Sequence, residues 1–374
     1  MNVLSPRQAL LFLIGITMCV LASCSERTPV RIGFMAGLSG RSADLGVAGR
    51  NGAMLAVEQK NAAGGINGRQ IELLAKDDEQ NDEVAKKQIA ELIAQKVELI
   101  IGPMTSSIAA AVMPQINASQ TVLLSPTVTT TALTGKDDNF LRVIADTRSY
   151  AHKSASYHYR TKGYRSVAVI LDQGNRSYTE SWLQDFRSEF ERLGGRIHLT
   201  VPFRSGSNTT FLDPAKQLLA ARPDAVLIIA NAVDAALICQ QVRKLSATQP
   251  IIAVEWASTE RFIELAGSAA EGVHLAQFIN RNDRSARYLE FIKAYRDRFG
   301  GQEPGFAGTA GYDAALVAIE ALQTRTKGTS VKEAILKRAR FSGVQQTISL
   351  DRFGDADRKN YITVVRNGAF VTLE

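Results

Sequence analysis

Five clusters of small polar or charged residues could do chemistry, and each follows a short apolar run. Gly37-Leu38-Ser39-Gly40 comes first, then Gly102-Pro103-Met104-Thr105-Ser106-Ser107, then Ser125-Pro126-Thr127-Val128-Thr129-Thr130-Thr131. Free N–H groups and hydroxyls at such places suit an anion, above all where Ser106 and Ser107 would begin a helix. Helix capping by Ser and Thr is the alternative for any one of these loops, but three at neighbouring strand ends converge on an anion site. Further on come Asp172-Gln173-Gly174-Asn175-Arg176-Ser177-Tyr178-Thr179 and Glu255-Trp256. A carboxylate at Glu255 would hold an ammonium group, while Tyr178 or Trp256 covers an aliphatic or aromatic portion. A surface Glu and a packed Tyr are the plainer alternative. Together the clusters describe a cleft for a zwitterion.

Motifs of covalent and cofactor chemistry do not occur. The chain has no Gly-x-Ser-x-Gly elbow, no Gly-x-x-x-x-Gly-Lys-Ser/Thr loop and no Gly-x-Gly-x-x-Gly after a strand. His152, His158, His198 and His274 form no His-x-x-x-His pair and join no Cys/His cluster. The expectation is a binding protein without catalytic residues, metal or cofactor.

The elements that must position the clusters alternate. Strands are expected over 30–35, 70–76, 97–101 and 121–124, with helices over 46–61, 83–95 and 106–119 between and after them. The alternation restarts after Asp146, with helices near 150–159, 178–193, 212–221, 234–245 and 260–266 and strands over 166–171, 197–203, 225–230 and 251–254. Such spacing gives parallel sheets covered by helices, and open sheets of this kind bind ligands beyond the carboxyl ends of their strands. Two similar α/β lobes in succession are implied. Residues 283–340 read as mostly helical, and 347–373 as strands with a hairpin turn at Asn367-Gly368.

The chain has 374 residues, 45% hydrophobic and 22% charged, which suits two globular domains and excludes disorder and a polytopic membrane protein. Its net charge of +7 comes from scattered residues with no run of four Lys/Arg, which argues against nucleic acid. Residues 1–23 read as an export leader: Arg7, an apolar stretch from Ala9 to Ala22, then small residues. Leu21-Ala22-Ser23-Cys24 resembles a bacterial lipobox, in which Cys24 would carry the lipid and 24–27 would tether the domain to the membrane. A plain secretory leader cut near Ala22 is the alternative. Losing Arg7 with the leader takes the net charge to +6 and leaves Cys239 as the one free thiol, in an apolar stretch that suits a small buried hydrophobe.

Several short motifs carry a family resemblance over Ile32 to about Asp351. They are Gly52-Ala53, Asn61-Ala62-Ala63-Gly64-Gly65-Ile66-Asn67-Gly68, Asp77-Asp78, Ile101-Gly102-Pro103 with Ser106-Ser107, Ser125-Pro126, Phe140-Leu141-Arg142 and Gly311-Tyr312-Asp313-Ala314. In order and spacing the chain resembles the leucine/isoleucine/valine-binding type of extracytoplasmic solute receptor that serves ATP-binding-cassette importers. The resemblance implies a type I periplasmic-binding-protein fold, two α/β lobes on a three-stranded hinge. One lobe would hold 28–145 and 279–345, the other 146–278 and 346–374. It further implies that Ser106 and Thr129 take an α-carboxylate, that the Val128 backbone accepts from the ammonium, and that Tyr178 and Glu255 complete the ammonium site. Ser39 and Ser107 join the expected ligand set from the loops, and Asn231 from a position where family members carry a tyrosine at or near it.

The resemblance is not uniform. Gln80 and Thr105 stand where the family's frequent disulfide cysteines would be, and Leu45 replaces an aromatic residue seen near the ligand in some members. A polar or larger solute is therefore as open as a branched aliphatic one, and some members take amides, urea or aromatic acids. The implied function is a lipid-anchored, monomeric receptor that captures an amino acid or amide and delivers it to a permease. A sensing or envelope-regulatory lipoprotein of the same fold is the alternative.

Overall fold

The computed structural model describes residues 28–374, so the leader, the lipobox and the tether expected over 1–27 lie outside the described residues. The first sheet is built from β1 (Val30–Ala36), β2 (Ile71–Asp77), β3 (Ile100–Ile101), β4 (Leu123–Ser125) and β5 (Phe140–Arg142). They lie in the order β2-β1-β3-β4-β5 and every neighbouring pair is parallel. The intervening helices are α1 (Ala43–Ala62), α2 (Asp82–Ala94) and α3 (Ser106–Asn117). In β1 only Arg31 is exposed, as expected for a parallel strand covered on both faces.

The second sheet takes α4 (Thr147–Arg160), β6 (Ser166–Asp172), α5 (Arg176–Arg192), β7 (Arg196–Phe203), α6 (Leu212–Ala220), β8 (Ala225–Ile229), α7 (Ala232–Leu245), β9 (Ile251–Ala253), α8 (Glu260–Ala266) and β10 (His274–Gln277). After α9 (Ala286–Arg298), α10 (Gly305–Thr324) and α11 (Val331–Arg338), a small antiparallel sheet forms from β11 (Arg340–Ser342), β12 (Thr347–Leu350) and β13 (Ala356–Asp357). The hairpin β14 (Tyr361–Arg366) and β15 (Ala369–Thr372) then returns to the second sheet, antiparallel on its edge. Its order is β15-β14-β10-β9-β8-β6-β7. The fold is the two-lobed α/β architecture that the alternation implies.

Two strands lie where the periodicity is silent. Phe140–Arg142 and His274–Gln277 are short and end on polar residues, and their pairing partners Leu123–Ser125 and Tyr361–Val364 supply what local pattern does not. Lobe one is closed by α10 lying against α1. A Cβ on Gly52 would stand 2.0 Å from the Gly308 carbonyl oxygen, and one on Gly311 2.1 Å from that of Gly49. The glycines of the motifs at 52 and 311 thus allow two backbones to touch.

Between the sheets the chain crosses at 143–146, 278–285 and 358–360. Arg358, fully buried, ties the crossings together: its Nη1 donates to Asp313 Oδ2 of α10 at 2.8 Å and to the Val143 carbonyl at 3.3 Å, and its guanidinium lies 4.3 Å from the Phe278 ring centroid. Residues 354–355 are held to lobe one, since Arg142 pairs with Asp355 at 2.6 Å and donates its backbone N–H to the Gly354 carbonyl.

Candidate ligand cleft

Both lobes present the N-terminus of a helix to the cleft. In lobe one, β3 ends at Ile101 and the loop through Met104 delivers Ser106 and Ser107 to the first turn of α3. In lobe two, β6 ends at Asp172 and delivers Asn175, Ser177 and Tyr178 to the start of α5. The Ser107 N–H donates to Asn175 Oδ1 at 3.0 Å, and the Ser177 N–H donates to Ser107 Oγ at 3.1 Å. Each helix start carries about half a positive charge, so two facing one another favour an anion between them.

Below this contact, Leu45, Met104, Ser106, Thr127, Asn175, Tyr178, Glu255 and Trp256 enclose a cavity of about 10 Å³, room for about one water molecule. Glu255 is 2% exposed and sits in a single turn (Glu255–Ala257) after β9. One of its oxygens, Oε2, accepts from Trp182 Nε1 at 3.0 Å, while Oε1 has no partner. Burial pushes its carboxyl up to about 7, against the downward pull of its own backbone N–H and of the Trp182 hydrogen bond. The hydroxyls of Tyr178, Tyr150 and Thr129 and the indole N–H of Trp256 are likewise buried without partners. Buried polar groups are ordinarily satisfied, so the three on residues lining this one cavity, Tyr178, Glu255 and Trp256, mark a place built to meet a polar molecule.

Of the residues expected from the sequence, Ser106, Tyr178 and Glu255 line the cavity. Ser107 lies at the lobe contact beside it. Val128 is fully buried, its N–H held by Ser125 Oγ at 3.0 Å, and Thr129 gives its carbonyl to the Thr147 N–H at 2.7 Å. Ser39 is exposed and sits by Asp77, whose carboxylate it helps hold down. Asn231 caps α7, accepting from the Asp234 N–H at 3.0 Å and donating to Asp234 Oδ2 at 2.7 Å. Neither Ser39 nor Asn231 reaches the cavity.

Several cleft residues have no place in the expected set. Trp182 follows Tyr178 by four residues on α5, so helical spacing alone puts both on one face and was signal enough. Tyr150 reads in the sequence only as the start of a helix. Arg41 and Asp234 carry no signal at all: 193 residues apart, they pair across the lobes at 2.5 Å, and Arg41 also donates to the Gly206 carbonyl at 3.0 Å. A second bridge runs from Thr259 Oγ1 to Asp44 Oδ2 at 2.5 Å, and burial raises the Asp44 carboxyl above its ordinary range.

Elsewhere, Cys239 is free and buried, its thiol pushed up to about 12 by burial, in keeping with packing rather than reactivity. Among the described residues no helix is long and apolar enough to cross a membrane. Among the same residues no group of three His, Cys, Asp or Glu side chains could hold a metal ion.

The chain is similar to known proteins. A family model described as periplasmic binding protein matches residues 29–369. The Leu/Ile/Val-binding protein BraC3 of Rhizobium johnstonii is 24% identical over 244 residues, 65% of this chain and 66% of that protein, just under two thirds of its length. The chemotactic signal transduction system substrate-binding protein BasB of Halobacterium salinarum is 29% identical over 210 residues, 54% of this chain and 50% of that protein. Among solved structures, the leucine-binding protein LivK of Thermotoga maritima has a TM-score of 0.84 at 26% identity, covering 92% of this chain and 98% of that one.

Proposed function

The chain belongs to the periplasmic binding protein family, and on that premise we propose that it captures an α-amino acid between its lobes and hands it to an ATP-binding-cassette permease. One observation carries the reading: Glu255 of lobe two keeps a buried, unpartnered carboxylate oxygen in the same cleft where Ser106 and Ser107 of lobe one begin a helix. An ammonium group on Glu255 and Tyr178 and a carboxylate at Ser106, Ser107 and Thr129 would answer both ends of a zwitterion. Burying a charge without a partner is costly, so each end of the solute offsets the desolvation of the group it meets. The names of the relatives, Leu/Ile/Val-binding and leucine-binding, support an amino acid as the solute.

The reading includes attachment to a bacterial membrane through a lipid on Cys24 and no covalent chemistry on the solute. It also divides the chain into lobes near 145/146 and 278/279 and, in place of the 345/346 boundary expected from the resemblance, puts the third crossing at 358–360, on the ground that Arg142 of lobe one pairs with Asp355 and bonds the Gly354 carbonyl. A sensing role without transport is the second reading, and the BasB relative favours it.

The test is a thermal-shift screen of the purified full-length chain, unfolded and refolded to strip bound solute, against the amino acids, amides, urea and aromatic acids. A solute at 100 times its Kd adds about 2.7 kcal/mol of stability. A rise with a set of α-amino acids that disappears in Glu255→Gln supports the reading. No rise with any α-amino acid overturns it. Loss of solute uptake in cells lacking the protein separates transport from sensing.

A further inference from the structure

Trp256 is the residue that the zwitterion leaves unanswered. It lines the cavity, is 6% exposed, and its ring meets Tyr178 edge-on at 5.6 Å between centroids. Its Nε1 is buried and has no hydrogen-bond partner. An indole N–H only donates, so it has nothing to offer an ammonium group. The carboxylate end of the proposed solute belongs to the helix start at Ser106 and Ser107 in the other lobe.

The remaining polar groups of the lining do not serve Trp256 either. Thr127 Oγ1 donates to the Met104 carbonyl at 2.7 Å and Asn175 Oδ1 accepts from the Ser107 N–H, and neither oxygen accepts from Trp256 Nε1. Glu255 Oε2 is already taken by Trp182, and Oε1 is the oxygen left for the ammonium. Neither Ser106 nor the Tyr178 hydroxyl accepts from it, and Leu45 and Met104 are apolar. With a purely aliphatic side chain in the cleft, Trp256 would stay a buried donor without an acceptor, which is disfavoured in a closed site.

We infer that the solute carries a hydrogen-bond acceptor on its side chain, a hydroxyl or an amide carbonyl, which takes the indole N–H of Trp256. This rests on the amino-acid reading above and narrows it to polar α-amino acids. A site built to bond a solute group rejects the analogue that lacks it far more strongly than an apolar pocket rejects an added hydroxyl. Trp256 is therefore the selectivity residue of the cleft.

The test compares shape-matched pairs, threonine with valine and asparagine with leucine, by calorimetry on the stripped full-length chain and on Trp256→Phe, which keeps an aromatic ring and removes the N–H. The expected result is that the better polar solute binds at least tenfold tighter than its apolar match, and that Trp256→Phe removes this preference. Equal or tighter binding of valine and leucine by the unaltered chain overturns the inference and leaves the amino-acid reading standing, without any variant having to fold. A polar preference that survives in a folded Trp256→Phe overturns it too. Binding of none of the four, and of no other α-amino acid, removes the reading and the inference together.

Discussion

Ser107 and Asn175, on opposite lobes, cap one another's helices: the Ser107 N–H donates to Asn175 Oδ1 at 3.0 Å, and Ser107 Oγ accepts from the N–H of Ser177, two residues beyond Asn175. The Asn175 side chain makes no capping bond to its own helix. Its cap therefore exists only while the lobes are together.

Asn175→Ala is expected to act on closure and not on the folding of either lobe. Loss of an N-cap costs about 1 kcal/mol, which corresponds to about fivefold weaker solute binding. Calorimetry for affinity and urea unfolding of the solute-free chain check the two halves. A large fall in unfolding stability would show that the side chain supports lobe two itself.

Arg41→Met breaks another inter-lobe tie, leaving Asp234 with Ser205 and Asn231. Truncating a buried charge pair is felt mainly in dissociation. Because Arg41 keeps a quarter of its side chain in water, the expected loss is about tenfold, at the low end for such pairs. Stopped-flow measurement should find faster release with nearly unchanged association.

Glu255 makes both stability and binding depend on pH. Its carboxyl is pushed up to about 7 in the fold, from about 4.3 in an unfolded chain. Between those values the folded form holds more protons, so the contribution to stability is full below about pH 4.3 and is lost as pH rises through 7. In urea unfolding, Glu255→Gln should therefore gain on the unaltered chain from pH 5 to pH 8. An ammonium solute requires the ionised form, so its affinity should rise up to about tenfold per unit towards pH 7 and then level off. Calorimetry in two buffers of different ionisation enthalpy should report about one proton released near pH 6 and almost none at pH 8.5.

Gly311→Ala is expected to force α1 and α10 apart, since the added Cβ would stand 2.1 Å from the Gly49 carbonyl oxygen. Overpacking of this kind costs about 1–3 kcal/mol. A lowered urea midpoint measures it, and an unchanged midpoint would mean that the two helices separate freely.

Much of the architecture is legible in local pattern. Alternating strand and helix periods announce two α/β lobes, and polar loops after apolar runs place Ser106, Tyr178 and Glu255 at strand or helix ends, because both features depend on residues a few positions apart. Phe140–Arg142 fails this test: it is three residues long and shows no period of its own, and its neighbours in the sheet make it a strand.

Closure of the lobes decides the rest. It brings Ser107 to Asn175 over 68 residues and Arg41 to Asp234 over 193, and no local spacing encodes such distances. It leaves Ser39 in solvent and Asn231 behind the cavity as a helix cap, although both stand in the right kind of loop. Within lobe two, folding buries Glu255, and that burial raises its carboxyl against the downward pull of the Trp182 hydrogen bond. Residue types and strand ends name the groups that can meet a zwitterion, but desolvation depends on everything folded around them, and only the tertiary structure determines which are buried together and which stay unpaired.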